Sequence, residues 1–184
     1  MKTIIKFVIF VVLTIIVISS CSESLKLKKT MSKFVLSHIQ IPNDLQCIHK
    51  NEISAIAEDS LMPFKMIVYY DSLDCSSCRI SHFMDLYPLY KMADTSNFSI
   101  ITIFSPKKED LEEVKIQISM ANYPERIYLD TNGNFCKLNE SIPNDQRFHS
   151  FMLNDEGRPI FVGNPLYNSD LMDIFIKILQ THNL

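Results

Sequence analysis

Met66-Ile67-Val68-Tyr69-Tyr70-Asp71-Ser72-Leu73-Asp74-Cys75-Ser76-Ser77-Cys78-Arg79 decides how this 184-residue chain is read. Met66–Tyr70 is an apolar run of strand length, and a helix-like stretch opens at Ser76. Two cysteines separated by two residues at a strand-to-helix junction point to thiol redox chemistry. The spacer lets both sulfurs sit in one helical turn and close a small disulfide ring. Unsatisfied N–H groups at a helix start stabilise a thiolate there. Cys75 is therefore the candidate nucleophile and Cys78 the candidate resolving thiol, with Asp74, Ser76, Ser77 and Arg79 as supporting neighbours. Asp74 opposes a thiolate and Arg79 favours it, so the sequence alone does not sign their joint effect.

Outward from this stretch the pattern is strand 66–70, helix 76 to about 92 and strand Ser99–Phe104. A second helix is predicted to start at Ser105-Pro106, with a capping hydroxyl, a first-turn proline and Glu109, Asp110, Glu112 and Glu113 near its positive end. Leu111, Val114 and Ile118 form its apolar face. Arg126–Asp130 reads as a short strand, followed by a turn and a brief segment ending near Asn139. Ser150–Leu153 and Pro159–Val162, joined through Asn154-Asp155-Glu156-Gly157, read as a hairpin. Asn168 caps a last helix with the face Leu171, Ile174, Phe175, Ile178 and Leu179. Upstream, Ser22 to about Met31 reads as a polar linker, Phe34–Ile41 as a short strand, and Leu45–Met62 as ambiguous.

The N-terminus carries Lys2 and Lys6, then an apolar run from Phe7 that ends in small residues before Cys21, the composition of a targeting segment. Ile18-Ser19-Ser20-Cys21 resembles a bacterial lipobox. That resemblance implies a lipoprotein signal peptide over 1–20, lipidation of Cys21 and a tether over 21–31, ahead of a single domain over 32–184. An uncleaved anchor is the alternative, since about 20 apolar residues span a bilayer. Either way the domain is expected outside the cytoplasm, anchored in the bacterial cell envelope and facing the periplasm.

An extracytoplasmic location permits disulfides. Besides Cys21, the chain has Cys47, Cys75, Cys78 and Cys136, too few to replace a hydrophobic core at this length. The 47% hydrophobic and 10% aromatic content suffices for one ordinary domain. A net charge of -3 leaves no basic footprint for nucleic acid, and three glycines in all exclude a Gly-rich phosphate loop.

The order βαβα, a βα insertion, then ββα resembles the thioredoxin fold: a central mixed β-sheet flanked by helices, with the insertion before the final hairpin. Lys65–Cys78, Ile103-Phe104-Ser105-Pro106-Lys107, Phe151–Asn154 and Val162-Gly163-Asn164-Pro165 carry the resemblance. It is nearest to TlpA-like thioredoxins of bacterial envelopes, of the kind common in Bacteroidetes. The resemblance implies a thiol-disulfide oxidoreductase acting on protein disulfides, without a cofactor and recharged by an upstream membrane reductant. Two departures stand out. Asp74 replaces the usual tryptophan, and Phe148, between Arg147 and His149, occupies the position expected for a cis-proline. A cis bond before a non-proline residue costs about 3 to 4 kcal/mol, which implies a differently built substrate-binding backbone. His149 is then expected in a loop facing Cys75, placed to assist proton transfer, with solvent exposure as the plainer alternative.

Other readings remain open. A structural Cys75–Cys78 bridge would constrain only four residues. Cys75, Cys78 and His82, with Cys47 or His49, have spacings that suit zinc or copper. A third possibility is a non-enzymatic binding lipoprotein that keeps the fold. Cys47 and Cys136 are expected to be buried, with mutual pairing or exchange with the active pair as alternatives. Tyr69, Tyr70, Phe83 and Tyr87 are the candidate groove aromatics.

Overall fold

Strands buried on both faces read as near-continuous apolar runs, and two such runs become the centre of the sheet. In the computed structural model, which describes residues 25–50, 52–55 and 62–184, these are β3 (Phe64–Tyr70) and β4 (Phe98–Phe104). They pair in parallel, Met66 opposite Ile100 and Tyr70 opposite Phe104. β5 (Ile127–Leu129) extends the parallel set beside β4, and β6 (Ser150–Leu153) lies antiparallel on the other side of β3. β7 (Pro159–Val162) completes that side, while β1 (Gln46–His49) and β2 (Glu52–Ala55) form a hairpin beyond β5. The seven-stranded order is β2-β1-β5-β4-β3-β6-β7.

Right-handed crossovers fix which face each helix covers. The steps β3 to β4 and β4 to β5 run in one direction across the sheet. Their helices α2 (Ser76–Ser81), α3 (Tyr87–Thr95) and α4 (Leu111–Ala121) therefore share a face, joined there by α6 (Ser169–Thr181). Met66 and Val68 meet them with Phe83, Leu89, Ile118 and Phe175. Ile67 and Tyr69 point the other way, toward Phe34 of helix α1 (25–35) and Phe135 of α5 (Asn134–Leu138). With no tryptophan in the chain, phenylalanines fill both layers, and Phe34 meets Phe151 edge-on at 5.0 Å.

Several expectations change. Residues 25–35 are helical where a linker and then a strand were expected, because Phe34 is fully buried and Met31 packs beside that core. The ambiguous segment contains the β1–β2 hairpin. The helix predicted over 76–92 breaks at His82, passes through a 3-10 turn at Phe83–Leu86 and restarts as α3 with Pro88 in its first turn. Ser105 does not start a helix. Its hydroxyl donates to buried Asp130 Oδ2 at 3.4 Å, and α4 begins after a 3-10 turn at Lys108–Asp110. Ile174 is 49% exposed and off the core face of α6, whereas Asn168 caps that helix by accepting from the Leu171 amide at 2.9 Å. Residues 1–20 and Cys21, the expected signal peptide and lipidation site, lie outside the described residues.

Candidate active site

β3 ends at Tyr70 and the chain turns at once. Asp71 Oδ1 accepts from the amides of Leu73 and Asp74 at 2.8 and 3.2 Å, an aspartate turn that delivers Cys75 to the start of α2. Cys75 and Cys78 are joined in a disulfide with Cα atoms 5.3 Å apart. Both residues are exposed, and the Cys78 amide donates to Cys75 Sγ at 3.3 Å. That amide is in place to stabilise negative charge on Cys75 once the bridge opens. Chain entropy gives a four-residue loop about 2 kcal/mol of stabilisation, against about 3 for fifteen residues. The bridge therefore contributes less than a longer-range cross-link would to a fold already built on a two-layer core.

Asp74, directly before the first cysteine, has a side chain only 3% exposed. Arg79, one turn along α2, donates to Asp74 Oδ1 from Nε at 3.2 Å and Nη2 at 3.1 Å. Asp74 Oδ2 accepts the Asp71 amide at 3.2 Å. The guanidinium also lies 5.3 Å over the Tyr70 ring. Burial pushes the Tyr70 hydroxyl up to about 12, with Arg79 opposing.

Asp74, Cys75, Cys78 and Arg79 border a shallow groove of about 370 Å³ with Leu73, His82, Asp85 and Gln146. A neighbouring groove of about 270 Å³ shares Arg79, His82 and Asp85 and continues to Asn164, Leu166 and Tyr167. Leu73 and Tyr167 leave apolar surface at 75% and 65% exposure. A larger cleft of about 610 Å³ lies against α3 and the beginnings of β4 and β5, without the disulfide.

Ser76 and Ser77 are the first two residues of α2. Phe148 and His149 do not reach the groove. Phe148 is half-buried beneath the Arg147 guanidinium, at 5.6 Å. His149 is 4% exposed; its Nε2 is 2.9 Å from the Pro143 carbonyl oxygen and its ring is 5.2 Å from Tyr69, on the sheet face away from α2. Proton transfer from His149 to Cys75 is thus corrected: alternation along β3 turns Tyr69, and the His149 ring tilted against it, away from the disulfide. Gln146, three residues upstream, is the loop side chain that arrives instead. An isolated glutamine carries no chemical signature in sequence; it reaches the groove from the first position of the turn Gln146–Phe148.

The metal grouping does not assemble. His82 Nδ1 faces Asp85 at 3.5 Å, and no three metal-ligating side chains converge among the described residues. Cys47 is buried on β1, while Cys136 is exposed on α5, against the expectation of burial; neither is disulfide-bonded. Burial pushes the Cys47 thiol up despite a hydrogen bond with Ser54. Partial burial, then Asp71, Asp130 and Glu140, do the same for Cys136. Of the candidate groove aromatics, Tyr69 and Phe83 are core residues, Tyr87 borders the larger cleft, and Tyr70 alone lines a groove beside Arg79.

The unit β4-β3-β6-β7 has a parallel central pair, an antiparallel hairpin and a Cys-x-x-Cys bridge at the end of the middle strand. The fold is thioredoxin-like. β5 and α5 form the expected βα insertion. The chain is similar to the thioredoxin domain of a thiol-disulfide oxidoreductase from Bacteroides vulgatus, at 18% identity and a TM-score of 0.45, covering 78% of this chain and 99% of that one. It is also similar to the pneumococcal exposed lipoprotein thioredoxin Etrx1 from Streptococcus pneumoniae, at 15% identity and 0.48, covering 74% and 99%. A third likeness is to StoA from Bacillus subtilis, at 20% identity and 0.43, covering 67% and 91%. No protein family and no curated protein matches the chain. The fold assignment rests on strand order and the place of the disulfide.

Proposed function

We propose that this chain is a thiol-disulfide oxidoreductase that reduces or exchanges disulfides in other proteins. The observation that carries this reading is the exposed Cys75–Cys78 bridge at the end of the central strand, opening onto a groove. In the reduced protein the Cys75 thiolate attacks one sulfur of a target disulfide. The Cys75–target bond forms as the target S–S bond breaks and the other target sulfur leaves as a thiolate. Cys78 then loses its proton and attacks Cys75 Sγ, expelling the second target sulfur and closing the Cys75–Cys78 bond. Two electrons have passed to the target.

The lipobox-like Ile18–Cys21 stretch supports anchoring in the bacterial envelope with the domain facing outward, where an upstream membrane reductant would return the two electrons. Trapping tests the reading. A Cys78→Ser variant of the full chain should accumulate mixed disulfides through Cys75 in envelope extracts, and Cys75→Ser should abolish them. A Cys78→Ser variant that traps nothing would contradict exchange and favour a non-enzymatic binding role.

A further inference from the structure

Asp74 and Arg79 border the groove onto which Cys75 and Cys78 open and are engaged with each other. The Asp74 carboxylate, nearly all of it removed from water, takes two hydrogen bonds from Arg79 and one from the Asp71 amide. Arg79 is 40% exposed and braced on the Tyr70 ring. We propose that Arg79 is a positioning residue that cancels the charge of Asp74 beside Cys75, so that this ion pair sets how readily the Cys75–Cys78 bridge is reduced. The inference rests on the redox reading above and adds the group that regulates it.

The other acidic and basic side chains of this region have hydrogen-bond or ion-pair partners of their own. The Asp71 carboxylate is held by the amides of Leu73 and Asp74, and on the 3-10 side His82 pairs with Asp85 in the open. In the turn that brings Gln146 to the groove, Asp145 and Arg147 pair with each other. Asp74 and Arg79 are thus the two opposite charges nearest Cys75 in sequence, both bordering its groove. Removing Arg79 leaves the buried Asp74 carboxylate uncompensated in the groove it shares with Cys75, which disfavours a thiolate there. Removing the charge of Asp74 frees a guanidinium to favour it. A thiolate that is easier to form stabilises the dithiol state and makes the bridge easier to reduce.

The test is a double-mutant cycle in the full detergent-solubilised chain, using Arg79→Gln, Asp74→Asn and the two together, with Arg79→Lys as the charge-conserving control. Redox equilibria against glutathione and the pH profile of Cys75 alkylation are read for each. Arg79→Gln should shift the equilibrium about tenfold toward the disulfide, about 30 mV for this two-electron couple, and move the alkylation midpoint to higher pH. Asp74→Asn should shift both in the opposite direction. The double variant and Arg79→Lys should stay within about threefold of the parent. Single variants that shift in the same direction, or by less than about twofold, would overturn the inference. If Arg79→Gln does not fold, the sign of the Asp74→Asn shift decides by itself. A parent bridge that does not cycle reversibly sinks the redox reading itself, whereas one that cycles with unmoved variants sinks only the role of the ion pair.

Discussion

Asp130 ties the βα insertion to the end of the sheet, and changing it to asparagine should loosen that joint by a predictable amount. The carboxylate is 1% exposed. One oxygen accepts the Asn134 amide at 2.9 Å; the other accepts the Phe135 amide at 2.8 Å and the Ser105 hydroxyl at 3.4 Å. Asparagine keeps one acceptor and turns an NH2 group toward a donor. A charge-assisted bond worth about 1.5 to 3 kcal/mol is lost, and a buried amide is left unpaired at a further cost of about 1 to 3. The lower desolvation penalty of the neutral side chain offsets part of this, giving a net loss of about 3 kcal/mol. With a urea slope of about 2 kcal/mol/M, the midpoint of the oxidised Ser22–Leu184 fragment, which contains every described element, should fall by about 1.5 M. Hydrogen exchange should show the largest loss of protection at the Asn134 and Phe135 amides. A midpoint within about 0.3 M of the parent, with those amides still protected, would refute the role assigned to Asp130.

Three more outcomes follow from packing and titration. Phe175 is fully buried, with its ring 5.1 Å from Phe161 and 5.8 Å from Phe98, so Phe175→Ala should cost about 3 to 5 kcal/mol in urea unfolding. Gly157 has φ +75°, and a Cβ there would lie 3.1 Å from His38 Nε2 and 3.2 Å from the Ile39 carbonyl; Gly157→Ala should lower the thermal midpoint, and an unchanged midpoint would argue against that contact. Tyr70 is raised from 10.0 to about 12 in the folded protein, chiefly by burial, so the unfolded chain releases this proton first. Its contribution to stability is complete below pH 10 and falls by roughly 2 kcal/mol as pH rises toward 12. Following the urea midpoint against pH in the parent and in Tyr70→Phe checks this, since the variant should show a shallower alkaline decline.

How much the sequence reveals follows from where each signal lies. β3 and β4 are legible because both of their faces are buried, leaving near-continuous apolar runs such as Met66–Tyr70. The β6–β7 hairpin and α6 are legible through the Asn154–Gly157 turn and the Asn168 cap, both local in sequence. The β1–β2 hairpin is not, because all four β2 residues are exposed and show no alternation. Helix α1 hides behind Lys26, Lys28 and Lys29, with Phe34 and Met31 as its contacts to the core. At the site, the cysteines announce themselves by spacing, and Asp74 and Arg79 by adjacency. Their mutual engagement, the diversion of Ser105 to Asp130 and the arrival of Gln146 depend on contacts between elements, which spacing alone does not carry.

The most direct test of the proposed chemistry is a redox titration of Cys75 and Cys78, read by alkylation and mass spectrometry of the purified chain in defined glutathione or dithiothreitol buffers. Reversible two-electron behaviour between about -270 and -120 mV, the span from thioredoxin to a strong periplasmic oxidant, is the expected result. A bridge that stays closed below about -300 mV, as stable structural disulfides do, would contradict the assignment of Cys75 and Cys78 as an exchange pair.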